Sequence, residues 1–434
     1  MKTLFKQITL ALFLPTTILI GENLDLDVVP RANRDLLNSM LSEDSSTKSA
    51  PMTPKALPIR KKVEANYIDL SLILKAAAGA STARDSEITQ LQTGFHDPRR
   101  RGFTFQAGEL SLSGAVDPYF KAEMHANFSE SAVELEEAFI TTTSLPYNME
   151  LEMGYFLTEF GRKNPSHAHT SDFADQSIAK GRMFGGEGQR ATGVRLGALL
   201  PLSWMSELHF GLQSPTGGLT SSFRSTSATT IGGRPTVSRE THSFADMIAL
   251  LRWVNGASLT SNWETQLGLS ALTGPNSTGS SASTSLLGAD LVLRWDSPKQ
   301  RQGYPFFTLE AEAIHRTFEA DAGTQNGLAY SAEDLEDWAW LIEGVYGFAP
   351  RWRVGLRYEQ AGGEGASFSQ LRSLDSERSD RTRISPMLTF RPSEFSKLTL
   401  QVNFDDADHL TDNSHTSYWL STEVLIGKHP AHNF

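Results

Sequence analysis

Cysteine is absent from the 434 residues. That rules out disulfides, thiolate metal sites, a cysteine nucleophile and a lipid-modified cysteine. Positive charge is scarce: 39 Lys and Arg stand against 50 Asp and Glu, a formal charge of -11. A nucleic-acid binder needs a basic face to displace counterions from phosphate, so no nucleic-acid partner is expected. Apolar residues make up only 39%. Beyond the N-terminus, no apolar run nears the roughly 20 residues of a spanning helix. A helical membrane protein is thereby excluded. A membrane barrel is not, because every second residue of its strands faces water. Nucleophile, base and orienting group cannot be read together anywhere, although His125 and His209 fall on a polar face. No enzyme is expected.

The N-terminus reads as an address. Lys2 and Lys6 precede an apolar stretch over residues 8–20, and Gly21 is the nearest small residue. Residues 1–21 are therefore expected to be a signal peptide. Residues 22–65 are polar, with Pro51, Pro54 and Pro58 and the basic Arg60, Lys61 and Lys62. Such a segment cannot bury enough apolar surface to order itself and is expected to be a disordered periplasmic linker.

From residue 66 to residue 434 the dominant period is two, which puts successive strand side chains on opposite faces. Phe120, Ala122, Met124, Ala126 and Phe128 alternate with Lys121, Glu123, His125 and Asn127. About sixteen such segments follow one another, each near the ~10 residues of a tilted membrane strand. Their centres are Leu72, Leu110, Glu123, Glu136, Leu151, Leu196, Phe210, Ala249, Leu267, Leu291, Ala311, Ile342, Gly355, Leu388, Gln401 and Leu420. The pattern predicts an all-β fold, a transmembrane antiparallel β-barrel beginning near Tyr67 and ending around Leu420. The phase breaks at Glu136-Glu137 and near Gly108, as β-bulges would cause.

The connections are expected to alternate. Short periplasmic turns are predicted at Val116-Asp117-Pro118, Ser144-Leu145-Pro146, Leu200-Pro201-Leu202, Asn255-Gly256, Phe348-Ala349-Pro350 and Arg391-Pro392-Ser393, with a longer one over 296–305. Long outside loops are predicted over 79–101, 161–190, 215–240, 318–331 and 362–378. Trp204, Trp253, Trp295, Trp338, Trp352 and Trp419 lie near strand ends, where an interfacial girdle belongs.

The faces opposite the apolar ones carry both charge signs. Lys121, Glu123, His125, Glu150, Glu152, Arg195, Arg353, Arg357 and Arg383 are the candidate pore-lining residues. Wall charges of this kind are also compatible with plain solvation or mutual pairing. The loop after the fifth strand concentrates Arg162, Lys163, His167, His169, Asp172 and Asp175 and is the candidate constriction. His167 and His169 form an H-x-H pair that could ligate zinc with Asp172 nearby. Its bland alternative is an exposed polar turn.

Gly154-Tyr155-Phe156, then Phe160-Gly161-Arg162-Lys163-Asn164 and His167-Ala168-His169, resemble porin-like outer-membrane proteins. These are related to phosphate-selective porins and often labelled zinc-regulated. Val116-Asp117-Pro118-Tyr119, 133–138, Gly186-Glu187-Gly188 and the ending His429 to Phe434 are similar too. The resemblance implies a sixteen-strand porin barrel in the outer membrane of a Gram-negative bacterium. It would sit in lipid and lipopolysaccharide and pass small solutes, as a homotrimer or alone. The barrel assembly machinery would engage the C-terminal strand through Phe434. No cofactor is expected, zinc apart. The alternative is a metal- or anion-binding uptake protein driven by an energised partner.

Overall fold

A computed structural model describes residues 68–226, 230–231, 234–325, 327–364 and 378–427. The expected signal peptide and linker, Tyr67, Phe434 and most of the loop 362–378 lie outside the described residues. Sixteen strands close into one antiparallel barrel. They are β1 (Ile68–Ser81), β2 (Gly102–Ala115), β3 (Phe120–Phe128), β4 (Val133–Thr142), β5 (Met149–Leu157), β6 (Arg190–Leu199), β7 (Met205–Gln213) and β8 (Ile248–Thr260). They continue as β9 (Trp263–Pro275), β10 (Ser283–Arg301), β11 (Tyr304–Ala320), β12 (Glu333–Ala349), β13 (Trp352–Glu364), β14 (Arg381–Ser393), β15 (Ser396–Ala407) and β16 (Ser414–Gly427). Each pairs with its sequence neighbour, and β1 pairs with β16 from Ser71 opposite Gly427 to Ser81 opposite Ser417. Closure removes the unpaired edge that a sheet would otherwise offer.

Every predicted segment centre falls inside a separate strand. The alternation sets the facing. On β15, Lys397, Thr399, Gln401, Asn403 and Asp405 are buried inside, whereas Leu398, Leu400 and Phe404 are exposed outside. Phe210 and Leu356, on the apolar faces of their strands, are about half exposed (51% and 53%).

One end of the barrel carries only brief connections, at 116–119, 143–148, 200–204, 261–262, 302–303, 350–351 and 394–395. Three predicted turns move. Asn255-Gly256 lies inside β8, and the turn is Ser261-Asn262. The stretch predicted as a longer turn is a tight hairpin, with β10 and β11 extended to Arg301 and Tyr304. Arg391-Pro392-Ser393 belongs to β14, and the turn is Glu394-Phe395. In each case cross-strand pairing carries the ladder past the turn-forming residue. At the other end, loops span 82–101, 158–189 and 214–247. Trp204, Trp263 and Trp352 sit exposed beside short turns, but Trp419 is buried, on the inward face of β16 against loop 82–101.

Both phase breaks are bulges. Glu136 is the extra residue of β4, since His125 pairs with Glu137 and Ala126 with Leu135. Gln106 is the extra residue of β2, since Lys75 pairs with Ala107 and Ala76 with Phe105.

Arginine at an outward mid-strand position should cost about 2–4 kcal/mol, because a charge there meets hydrocarbon. Phe210→Arg and Leu356→Arg should therefore lower stability strongly in a urea folding titration into lipid vesicles. Glu123→Arg, facing inward, should be far milder. Equal penalties would overturn the facing.

Candidate functional site

The loop between β5 and β6 does not stay outside. Residues 158–189 fold into the barrel and touch its wall on several sides. Asn164, fully buried, closes the loop's neck. Its side-chain amide donates to the Thr158 carbonyl at 2.7 Å and the Gln189 carbonyl at 3.1 Å, and its oxygen accepts from the Gln189 amide at 2.8 Å. Gly161 sits at φ 61°, and a Cβ there would lie 2.5 Å from a Glu312 oxygen. Only glycine fits so tight an approach in that conformation. The next two amides, of Arg162 and Lys163, both donate to Glu312 Oε2, at 2.7 and 2.9 Å. Lys163 then reaches Glu310 at 2.7 Å and also contacts Glu343. Arg162 lies 3.3 Å from Glu310.

Beyond this the loop divides its charges between two walls. His167 and His169 turn toward β2 and β4. His167 Nε2 is 2.8 Å from Glu137, and His169 Nδ1 is 2.8 Å from Glu109. Asp172 and Asp175 turn toward β13 and β14. Asp172 accepts from Arg353 and Arg391, each at 2.9 Å. Asp175 accepts from Arg357 at 2.5 Å, Arg383 at 3.0 Å, Gln401 at 2.8 Å and Asn403 at 2.6 Å. Phe173 is buried between them, with the Arg357 guanidinium 4.6 Å from its ring centroid.

Two short helices complete the interior. Helix α1 (Asp85–Leu91) belongs to loop 82–101, and its carbonyl at Leu91 accepts from Arg383 at 2.8 Å. Helix α2 (Ile178–Phe184) is capped by Ser177, whose hydroxyl accepts from the Lys180 amide. An N-cap serine satisfies one of the donors that a helix start leaves open. Ile178, Met183 and Phe184 pack with Phe160, Leu286 and Ile314 in an apolar pad on the far wall. The Ile178 amide donates to Glu359 at 2.7 Å.

The predicted wall residues thus fall into two groups. Arg353, Arg357 and Arg383 face inward, but loop carboxylates cover them, and Arg357 and Arg383 are buried. His125 is drawn into the histidine seam, its ring 4.9 Å from that of His167. Lys121, Glu123 and Glu150 keep water access, their side chains 45%, 25% and 50% exposed. Arg195 bridges Glu152 at 3.0 Å and Glu159 of the loop at 2.5 Å. The expected grouping of Asp172 with His167 and His169 does not form, because the arginines of β13 and β14 claim Asp172. The carboxylates beside the histidines come from the wall instead. His96, in loop 82–101, joins them unforeseen, 3.1 Å from Glu187 and 3.5 Å from Glu136. Its only trace in the sequence is a histidine in a polar loop.

Burial alone would raise the Asp172 and Asp175 carboxyls. The guanidiniums of Arg353 and Arg391, and of Arg357 and Arg383, bring both down to about 2, against an ordinary 3.8. A lowered carboxyl contributes stability above its unfolded value and loses it as pH falls through the folded one. Asp175→Ala should cost about 3–5 kcal/mol, the usual consequence of stranding buried cations. That is read from urea denaturation at neutral pH. The difference between wild type and variant should hold down to about pH 4 and shrink toward pH 2. A difference independent of pH would show that the ion pairs do not carry it.

No family model matches the chain. A protein of Aquifex aeolicus (strain VF5), described as uncharacterized, is 25% identical over 414 residues, covering 84% of this chain and 80% of that one. Among solved structures, the outer membrane channel DcaP of Acinetobacter baumannii superposes with a TM-score of 0.52 at 11% identity, over 85% of this chain and 99% of that one. The anion-selective porin from Comamonas acidovorans gives 0.51 at 11% identity, over 83% and 99%. At such identities the likeness is one of architecture: the chain has the fold of outer-membrane porins.

Proposed function

We propose that the chain is an outer-membrane channel of a Gram-negative bacterium that lets small polar or charged solutes pass down their gradients. One observation carries the reading. A closed barrel with an apolar outside and a charged inside is crossed by the long loop 158–189, which narrows it. Lys121, Glu123 and Glu150 on the wall keep water access. In the loop's neck, Glu159 shares Arg195 with Glu150, and Arg162 lies beside Glu310, with side chains 25% and 21% exposed. Charged rings of this sort admit hydrated polar solutes and penalise apolar ones. On this reading the constriction is the neck of the loop, while Asp172 and Asp175 anchor it. Association as three copies, and assembly through the C-terminal strand, follow from the resemblance in sequence to porin-like proteins. The first is read from the mass of the unheated, detergent-extracted protein.

The test is a planar-bilayer recording of the full chain. Deleting residues 166–171 should free the loop and raise single-channel conductance. Unchanged conductance would reject the loop's role, and no channels from wild type would reject the proposal. Glu150→Gln with Glu159→Gln should lower the permeability of cations relative to anions, seen as a shift in reversal potential under a salt gradient.

A further inference from the structure

The seam between the loop and the β2–β4 wall is built unlike the rest of the interior. Side chains along a regular strand alternate faces. At the β4 bulge, Glu136 and Glu137 are adjacent yet both buried. With Glu109 of β2, they place three buried carboxylates around His167. Glu109 lies 3.6 Å from His167 Nδ1, Glu136 3.5 Å from the same atom and Glu137 2.8 Å from Nε2. His125 and His169 stand on either side, with Nδ1 atoms 3.7 and 2.8 Å from Glu109. His96 continues the row, between Glu136 and Glu187.

Across the barrel, Asp172 and Asp175 each meet two guanidiniums. In the seam, Glu109, Glu136 and Glu137 pair among the described residues with the imidazoles of His96, His125, His167 and His169. Buried carboxylates require a compensating positive charge. Protonated imidazoles can supply it, and deprotonated ones together with carboxylates make a ligand set for zinc and similar ions. The spacing suits such an ion. The ligand atoms of Glu109, His167 and His169 lie within 4.8 Å of one another, as do those of His125, Glu137 and His167, and those of His96, Glu136 and Glu187. Tetrahedral ligands at about 2.0–2.2 Å from zinc stand roughly 3.3–3.6 Å apart, so small side-chain movements close the set. A second observation is independent of these distances. Glu187 Oε1 is buried without a hydrogen-bond partner, on a side chain only 3% exposed. Native proteins seldom leave such an atom unmet.

We propose that this seam binds a divalent first-row transition-metal ion. His167 and His169 from the loop and Glu109 from the wall are its ligands, and Glu137 and His125 are in reach to complete the shell. The group of His96, Glu136 and Glu187 offers an adjoining second position. The ion takes the place of the imidazole protons as the compensating charge and ties the loop to the early strands, as the arginines tie it to the late ones. The site holds whether or not solutes pass through the barrel, and its test requires no channel activity.

The experiment uses the full chain in detergent, stripped with a chelator and dialysed against micromolar zinc or cobalt(II). Bound metal per chain is read by mass spectrometry, and cobalt ligation by its visible absorption. Wild type should retain at least one ion after dialysis and show the absorption of cobalt held by nitrogen and oxygen ligands. His167→Ala with His169→Ala should weaken binding at least about tenfold, the lower range seen even for residues that merely support a ligand. Glu109→Gln, a milder change, should weaken it too. His209→Ala, an inward histidine outside the seam, should not. Strand circular dichroism and heat-shifted gel mobility verify that each variant is folded. If the double variant fails that check, Glu109→Gln and the wild-type cobalt spectrum decide alone. No retained metal in wild type overturns the proposal. So does equal affinity in the folded seam variants.

Discussion

A carboxylate cut off from water stays ionised only where cations and dipoles replace the hydration it lost. Asp175 has a side chain with no exposure and meets that demand with two guanidiniums and two side-chain amides. Its four partners come from three different strands, β13, β14 and β15. Placing it correctly therefore places the loop against a broad arc of wall. Asp172, three residues earlier, repeats the arrangement one step along the same strands, with Arg353 and Arg391. The apolar pad under α2 adds burial but little direction, since packing alone tolerates sliding that paired charges do not. Direction comes from the ion pairs, and the loop's path across the lumen depends on them.

The charge pattern along the chain explains why the loop lies across the barrel instead of along one side. Early strands contribute acids inward, and β13 and β14 contribute arginines. The loop carries matching charges: Arg162 and Lys163 hold acids of β11 and β12, His167 and His169 meet acids of β2 and β4, and Asp172 and Asp175 meet the arginines of β13 and β14. Each group is attracted to a different wall. A loop of one sign would have lain on one wall only, leaving the opposite charges to pair with each other or with water.

Much of the architecture was legible in the sequence because a strand writes its facing locally. Leu398, Leu400 and Phe404 announce their side by alternation alone, and so does every segment centre from Leu72 to Leu420. The bulge at Glu136 was legible for the same reason, as a break in that rhythm. Turn positions were less so: Asn255-Gly256 has turn chemistry, but pairing with β7 and β9 holds it in the ladder. The interior was hardest to read. Asp172 lies near His167 in sequence, which suggested one cluster, yet its partner Arg353 is 181 residues away. Likewise, nothing local ties His96 to Glu187, 91 residues on. Such contacts depend on how far around the barrel a loop reaches, and no periodicity encodes that.

The two anchors are unequal in kind. Guanidiniums remain charged at any pH a protein meets, so the late-strand anchor holds wherever its aspartates are ionised. The imidazoles of the early-strand seam can take a proton or give a lone pair to a metal, so its strength depends on what is bound there. Between them runs the neck of the loop, with Gly161 pressed on Glu312 and Asn164 closing the base. The 165–171 segment is thus held on both flanks, by the neck and by Asp172, and His167 and His169 add a third attachment to β2 and β4 in its middle. The bulge that brings Glu136 and Glu137 to the same face thus does more than bend a strand. It gathers onto one face the carboxylates that meet His167.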